Sequence, residues 1–132
     1  MTELSGCFQK EILADGVIIY RVQISTAECA DLWFDDLAAE FARAKAEQRT
    51  SRLLYDLRKM TKATPYALQR IGQLASLPDL PEKWFVASVT GSAFVTGMVH
   101  FVKTISLFDS KLFERSQIFD GEAEALEWLR SQ

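Results

Sequence analysis

The order of its periodicities is what most restricts the fold of this chain. Two short apolar runs open it, and from there segments with a helical repeat alternate with further apolar runs of strand length. Phe8 to Leu13 and Val17 to Ile24 read as strands, and Ala14-Asp15-Gly16 between them has the Asp-Gly chemistry of a hairpin. Ser25-Thr26-Ala27-Glu28 fits a capping box, with a hydroxyl at the cap and a carboxylate three residues on. The helix it opens is expected to reach about Glu47, with Ala30, Trp33, Phe34, Leu37, Ala38 and Phe41 as its apolar stripe.

Arg52 to Leu57 (Arg-Leu-Leu-Tyr-Asp-Leu) is a short apolar run of the kind found in a buried parallel strand. Thr64-Pro65 places a cap before a proline at the first helical position, and Pro78 and Pro81 close that second helix. Its stripe is Ala67, Ile71, Leu74 and Ala75. Trp84 to Thr90 is a strand, Gly91-Ser92 turns into a third helix running to about Phe108, and Ser116 to Phe119 is a last strand. Asp120 caps a final helix that ends at Trp128 and Leu129. The order ββαβαβαβα predicts one α/β domain over 1–132. Its sheet is mostly parallel, with an antiparallel edge strand, and is covered by helices.

Composition narrows the function. Fifteen Lys and Arg against eighteen Asp and Glu leave a net charge of −3, without the basic face that phosphate neutralisation requires, so nucleic acid is not an expected partner. No run of about 18 apolar residues occurs, and the first residues lack a basic segment followed by an apolar one. The expectation is a cytoplasmic protein with no membrane span. Two cysteines are too few for a disulfide framework, and Cys7 and Cys29 are both read as reduced and packed.

Three stretches resemble the STAS family, the domain of sulfate transporters and anti-sigma-factor antagonists. They are Leu53-Leu54-Tyr55-Asp56-Leu57-Arg58, Phe85-Val86-Ala87-Ser88-Val89-Thr90, and the ending Ile118-Phe119-Asp120-Gly121-Glu122-Ala123-Glu124-Ala125-Leu126-Glu127-Trp128-Leu129. The last is similar to the close of SpoIIAA-like and STAS/SEC14-like bacterial proteins. The resemblance implies a regulatory interaction module that binds a protein partner or a second copy of itself as a homodimer. In regulatory members a serine or threonine after the central strand is phosphorylated, within an aspartate-serine-serine-glycine run. Here Asp56-Leu57-Arg58-Lys59-Met60-Thr61-Lys62-Ala63-Thr64-Pro65 stands in its place, leaving Thr61 and Thr64 in that neighbourhood. The SEC14-like side of the likeness implies an alternative, a carrier for a small apolar or anionic ligand.

Ligands of open α/β sheets bind outside the carboxyl ends of the strands. That edge is expected to gather Asp56, Arg58, Thr61 and Thr64 from one loop and Thr90, Gly91 and Ser92 from the next. Thr64 and Ser92 each precede a helix, whose free N–H groups favour an anion, and Arg58 can grip a carboxylate or phosphate with two parallel bonds. The same residues also serve as plain helix caps and a solvated arginine.

Catalysis has less support. His100 is the sole histidine and falls on the polar side of the third helix. There is no Gly-x-Ser-x-Gly elbow, no Cys-x-x-Cys or His-x-x-x-His metal spacing and no glycine-rich nucleotide motif, so no cofactor and no metal are expected. The third helix has an apolar face wider than core packing needs, with Val95 and Val99 on one flank and Leu107 on the polar side. Those three are the expected interface, or else mark a deeply buried helix.

Overall fold

A computed structural model describes residues 2–4, 6–22, 26–59, 64–73, 79–91, 97 and 115–132. Six strands form one sheet: β1 (Thr2–Leu4), β2 (Phe8–Ile12), β3 (Ile18–Val22), β4 (Ser51–Asp56), β5 (Trp84–Val89) and β6 (Ser116–Phe119). Their order in space repeats their order in the chain. β1, β2 and β3 pair antiparallel, and β3 to β6 pair parallel. The described helices are α1 (Ala27–Ala46), α2 (Pro65–Gly72) and α3 (Glu122–Arg130).

The mixed α/β sheet matches the expectation, with one difference at its antiparallel side. β1 is an additional strand, so the edge carries two antiparallel steps instead of one. Three residues are too few to show an alternation, which is why Thr2–Leu4 has no periodic signature. Apart from Gly97, the expected third helix lies outside the described residues.

The hairpin between β2 and β3 follows its sequence closely. Gly16 adopts φ 90°, donates its N–H to Leu13 O at 2.9 Å, and Leu13 N–H reaches Val17 O at 2.9 Å. A three-residue loop with glycine in the left-handed region results, a conformation that costs glycine little.

Each face of the sheet buries its own cluster. Toward α1 point Tyr20 of β3, Leu53 and Tyr55 of β4, and Trp84 and Val86 of β5, packed against Trp33, Phe34, Leu37 and Phe41. Ring centroids lie 5.6 Å apart for Trp33–Tyr55 and 5.8 Å for Phe41–Trp84. Truncating a buried aromatic such as Phe41 to alanine costs about 3–5 kcal/mol. Toward α3 point Ile19, Leu54, Ala87 and Val89, closed off by Ala125 and Leu129. β4 is thus apolar on both faces, the reason its sequence reads as a continuous run.

α1 departs from its expected stripe at one position. Ala38 is half-buried, whereas Glu40 is 3% exposed. Lys10 of β2 explains this: its ammonium lies 2.8 Å from Glu40 and 2.9 Å from Asp36. Burial alone would lower the Lys10 pKa, but these two carboxylates outweigh it and raise it. A buried carboxylate is tolerable when paired in this way. α2 is tied to α1 by Arg70, whose Nε is 3.1 Å from Asp31 and whose guanidinium stacks 4.3 Å from the centre of the Phe34 ring.

Two of the expected caps shift by one residue. Thr26, not Ser25, caps α1, accepting the Cys29 N–H at 3.3 Å; the third helical position is therefore Cys29, and Glu28 cannot complete a box. Gly121, not Asp120, precedes α3 and makes no side-chain cap bond, while Glu122 and Glu124 complement the dipole of the first turn.

The cysteines are not reduced. Cys7 and Cys29 form a disulfide with Cα atoms 5.3 Å apart. Cys7 ends the turn into β2 and Cys29 lies in the first turn of α1, so packing brings together two thiols 22 residues apart in the chain.

Candidate functional site at the carboxyl edge of the sheet

The parallel strands β3, β4, β5 and β6 end along one edge, and α3 begins there. Register places Arg21 of β3 beside Asp56 of β4. Asp56 Oδ2 accepts from Arg21 Nη1 at 2.8 Å and from Arg58 Nη2 at 2.9 Å. Asp56 Oδ1 accepts from Arg58 Nε at 2.9 Å and from the Arg58 backbone N–H at 3.2 Å. That last bond is the side-chain-to-backbone closure of an Asx turn, which bends the chain as it leaves β4.

Glu122, the first residue of α3, joins the cluster. Its Oε1 lies 2.7 Å from Arg21 Nη1 and 3.5 Å from Arg58 Nη2. Glu11 of β2 stands 3.5 Å from Arg21 Nη2. Two guanidinium groups and three carboxylates thus form one connected network.

The electrostatics follow. Burial would push the Asp56 carboxyl up, but the hydrogen bonds from Arg58 and Arg21 prevail and hold it at about 2. Arg21 is raised above the ordinary arginine value, chiefly by Glu122 and then by Asp56. A carboxylate held so low is a poor proton acceptor at neutral pH, which weighs against Asp56 as a general base. His100, the sole histidine, lies outside the described residues.

Of the residues expected here, the structure brings together Asp56 and Arg58 directly, and Gly91 against them: a Cβ built on Gly91 would stand 3.5 Å from Arg58 Cβ and Cγ. Thr90 is buried, and its N–H donates to Phe119 O at 3.1 Å. Leu57 N–H is likewise taken, by Val89 O at 2.8 Å. These backbone donors are therefore committed to the fold and not turned toward a ligand. Thr64 is half-buried immediately before α2. Thr61, Ser92, Val95, Val99 and Leu107 lie outside the described residues.

Arg21, Glu122 and Glu11 were not among the expected site residues. Arg21 did carry a signal, as the single charge within the run from Val17 to Val22. A charge in such a strand needs a partner. Glu122 and Glu11 had none, being 101 and 10 residues from Arg21.

Among the described residues, no group of three His, Cys, Asp or Glu side chains could hold a metal ion. Among them also, no helix is long and apolar enough to cross a membrane.

The chain matches no protein-family model and no curated protein. It is similar in structure to the protein TM1081, solved by NMR. The two share 21% identity and a TM-score of 0.61, over 100% of this chain and 95% of that one. At this identity the likeness shows a shared fold.

Proposed function

We propose that this chain is a STAS-like interaction module in which the carboxyl edge around Arg58 engages a protein partner or a second copy of the chain. The observation that carries the reading is the Arg58 guanidinium. Its side chain is 44% exposed, yet Asp56 grips it through two bonds. An arginine fixed in place beforehand loses little rotamer freedom when it meets a carboxylate, and such arginines are frequent interface anchors.

The network supports binding over catalysis, since each carboxylate in it faces a guanidinium. An arriving anionic group competes with Glu122 for Arg58 at 3.5 Å, the longer contact, and leaves the Asp56 grip intact. Phosphorylation of Thr61 or Thr64, in the same stretch of chain, would add such a group within the module itself. Location bears on the reading too. The expected cytoplasm is a reducing compartment where disulfides are rare, so the Cys7–Cys29 bond favours an oxidising one.

Native mass spectrometry of gently purified wild-type and Arg58→Glu proteins tests the proposal. A homodimer or partner complex that is lost in the variant, at unchanged thermal stability, supports it. A complex indifferent to the substitution places the working surface elsewhere. A discrete small mass released by organic solvent would favour the carrier reading instead.

A further inference from the structure

At the opposite edge, where β4 and β5 begin, a groove of about 710 Å³ opens between the end of α1 and the turn before β5. This volume falls within the range of small-molecule sites, roughly 300–1,000 Å³. We propose that it binds a small organic dianion, a dicarboxylate or phosphomonoester with a compact apolar body. The inference does not depend on the reading of the carboxyl edge.

Charge is the first argument. Lys45, Arg49 and Lys83 line the groove against a single acidic residue, Glu82, although the whole chain carries a net charge of −3. The ion pairs these cations make are solvent-exposed. Lys45 stands 3.7 Å from Asp79, and Arg49 pairs with Glu47; both carboxylates are more than half exposed. Lys83 forms no ion pair among the described residues. Exposed pairs contribute little, about 0–1 kcal/mol, so an incoming anion displaces them readily.

The second argument is what has been removed from the site. A helix C-terminus normally presents carbonyl oxygens that repel an anion. Here three of them are occupied. Arg43 O, Lys45 O and Ala44 O accept from the N–H groups of Glu47, Gln48 and Arg49 at 3.0, 3.1 and 3.0 Å. Gln48 turns through φ 55° to allow this closure and itself lines the groove.

Third, the walls suit an apolar body and are held in place. Leu80 and Pro81 form one side over the fully buried Ala44. The Lys83 carbonyl accepts from Ser51 N–H at 3.0 Å, and the Glu82 carbonyl accepts from Arg115 Nη1 at 2.9 Å, which fixes the turn that carries both residues.

Titration of the isotope-labelled protein with phthalate and with phenyl phosphate, followed by amide chemical shifts, tests the proposal. Saturating shifts confined to residues 44–50 and 80–83 are expected. Lys83→Ala and Arg49→Ala should each weaken binding about tenfold, and high salt should do likewise. Both side chains are at the surface, so unchanged melting temperatures verify the fold of the variants. Saturation by phenyl phosphate alone identifies a phosphate ligand, and saturation by phthalate alone a carboxylate. Shifts that fail to saturate with either probe, that centre on Arg58 and Gly91, or that persist in the double variant overturn the proposal.

Discussion

Arg21 and Asp56 occupy matched positions on neighbouring parallel strands, and the guanidinium of one reaches the carboxylate of the other at 2.8 Å. The pair joins the antiparallel half of the molecule to the parallel half on the side that α3 covers only in part. Its partners, Arg58 and Glu122, extend the same link to the loop after β4 and to the start of α3.

Asp56→Asn should therefore destabilise the fold, and do so in a pH-dependent way. The Asp56 carboxyl is depressed to about 2 when folded. Its contribution is thus complete above the ordinary aspartate value and disappears as pH falls through about 2. At neutral pH the difference between wild type and variant should be about 2 kcal/mol. Denaturant titrations at neutral pH and near pH 3 check this: the difference must shrink on acidification, and an equal difference at both refutes the coupling.

Tyr55→Phe should be neutral or stabilising by about 1 kcal/mol. Tyr55 Oη is buried with no hydrogen-bond partner among the described residues, and burial raises its pKa. Removing an unsatisfied hydroxyl removes its desolvation penalty while leaving the ring packed on Trp33. Calorimetry decides it. A loss of more than about 1 kcal/mol would show that the hydroxyl has a partner in solution.

Gln48→Gly should raise stability by about 0.5–1 kcal/mol. The residue holds φ 55° just beyond α1, the position where helices most often place glycine. The gain is partly offset by the greater freedom of glycine in the unfolded chain. A rise of a few degrees in melting temperature is expected; a fall would mean that the Gln48 side chain makes contacts that stabilise this turn.

Reduction of Cys7–Cys29 should lower stability by about 3 kcal/mol, because the bond closes a loop across a separation of 22 residues. For a domain of this size that is roughly a 10 °C fall in melting temperature. Melting curves with and without a reducing phosphine, alongside the Cys7→Ala/Cys29→Ala double variant, measure it. Identical curves would show that the bond contributes nothing.

What the sequence reveals about this chain divides along physical lines. β4 and β5 are legible because each is a local and largely apolar run, and the β2–β3 hairpin because Asp15-Gly16 is a local turn signal. Asp56 and Arg58 are legible as neighbours for the same reason: only Leu57 stands between them. Arg21 and Glu122 reach the same carboxylate cluster only through sheet register and the docking of α3, which no local pattern records. The disulfide is hidden similarly. Each cysteine suits its own element as a small apolar residue, and only the packing of α1 on the sheet brings the thiols together. The buried Glu40 was masked by its charge, since its partner Lys10 lies 30 residues away on another element.

Because strands follow one another across the sheet in the order of synthesis, a chain emerging from the ribosome meets a finished neighbour at every step. Among the described strands, none has to wait for a later one to be inserted between it and its predecessor. The sheet can accrete from one side like courses of brick, and lengthening the protein beyond either outer strand would leave every existing pairing untouched.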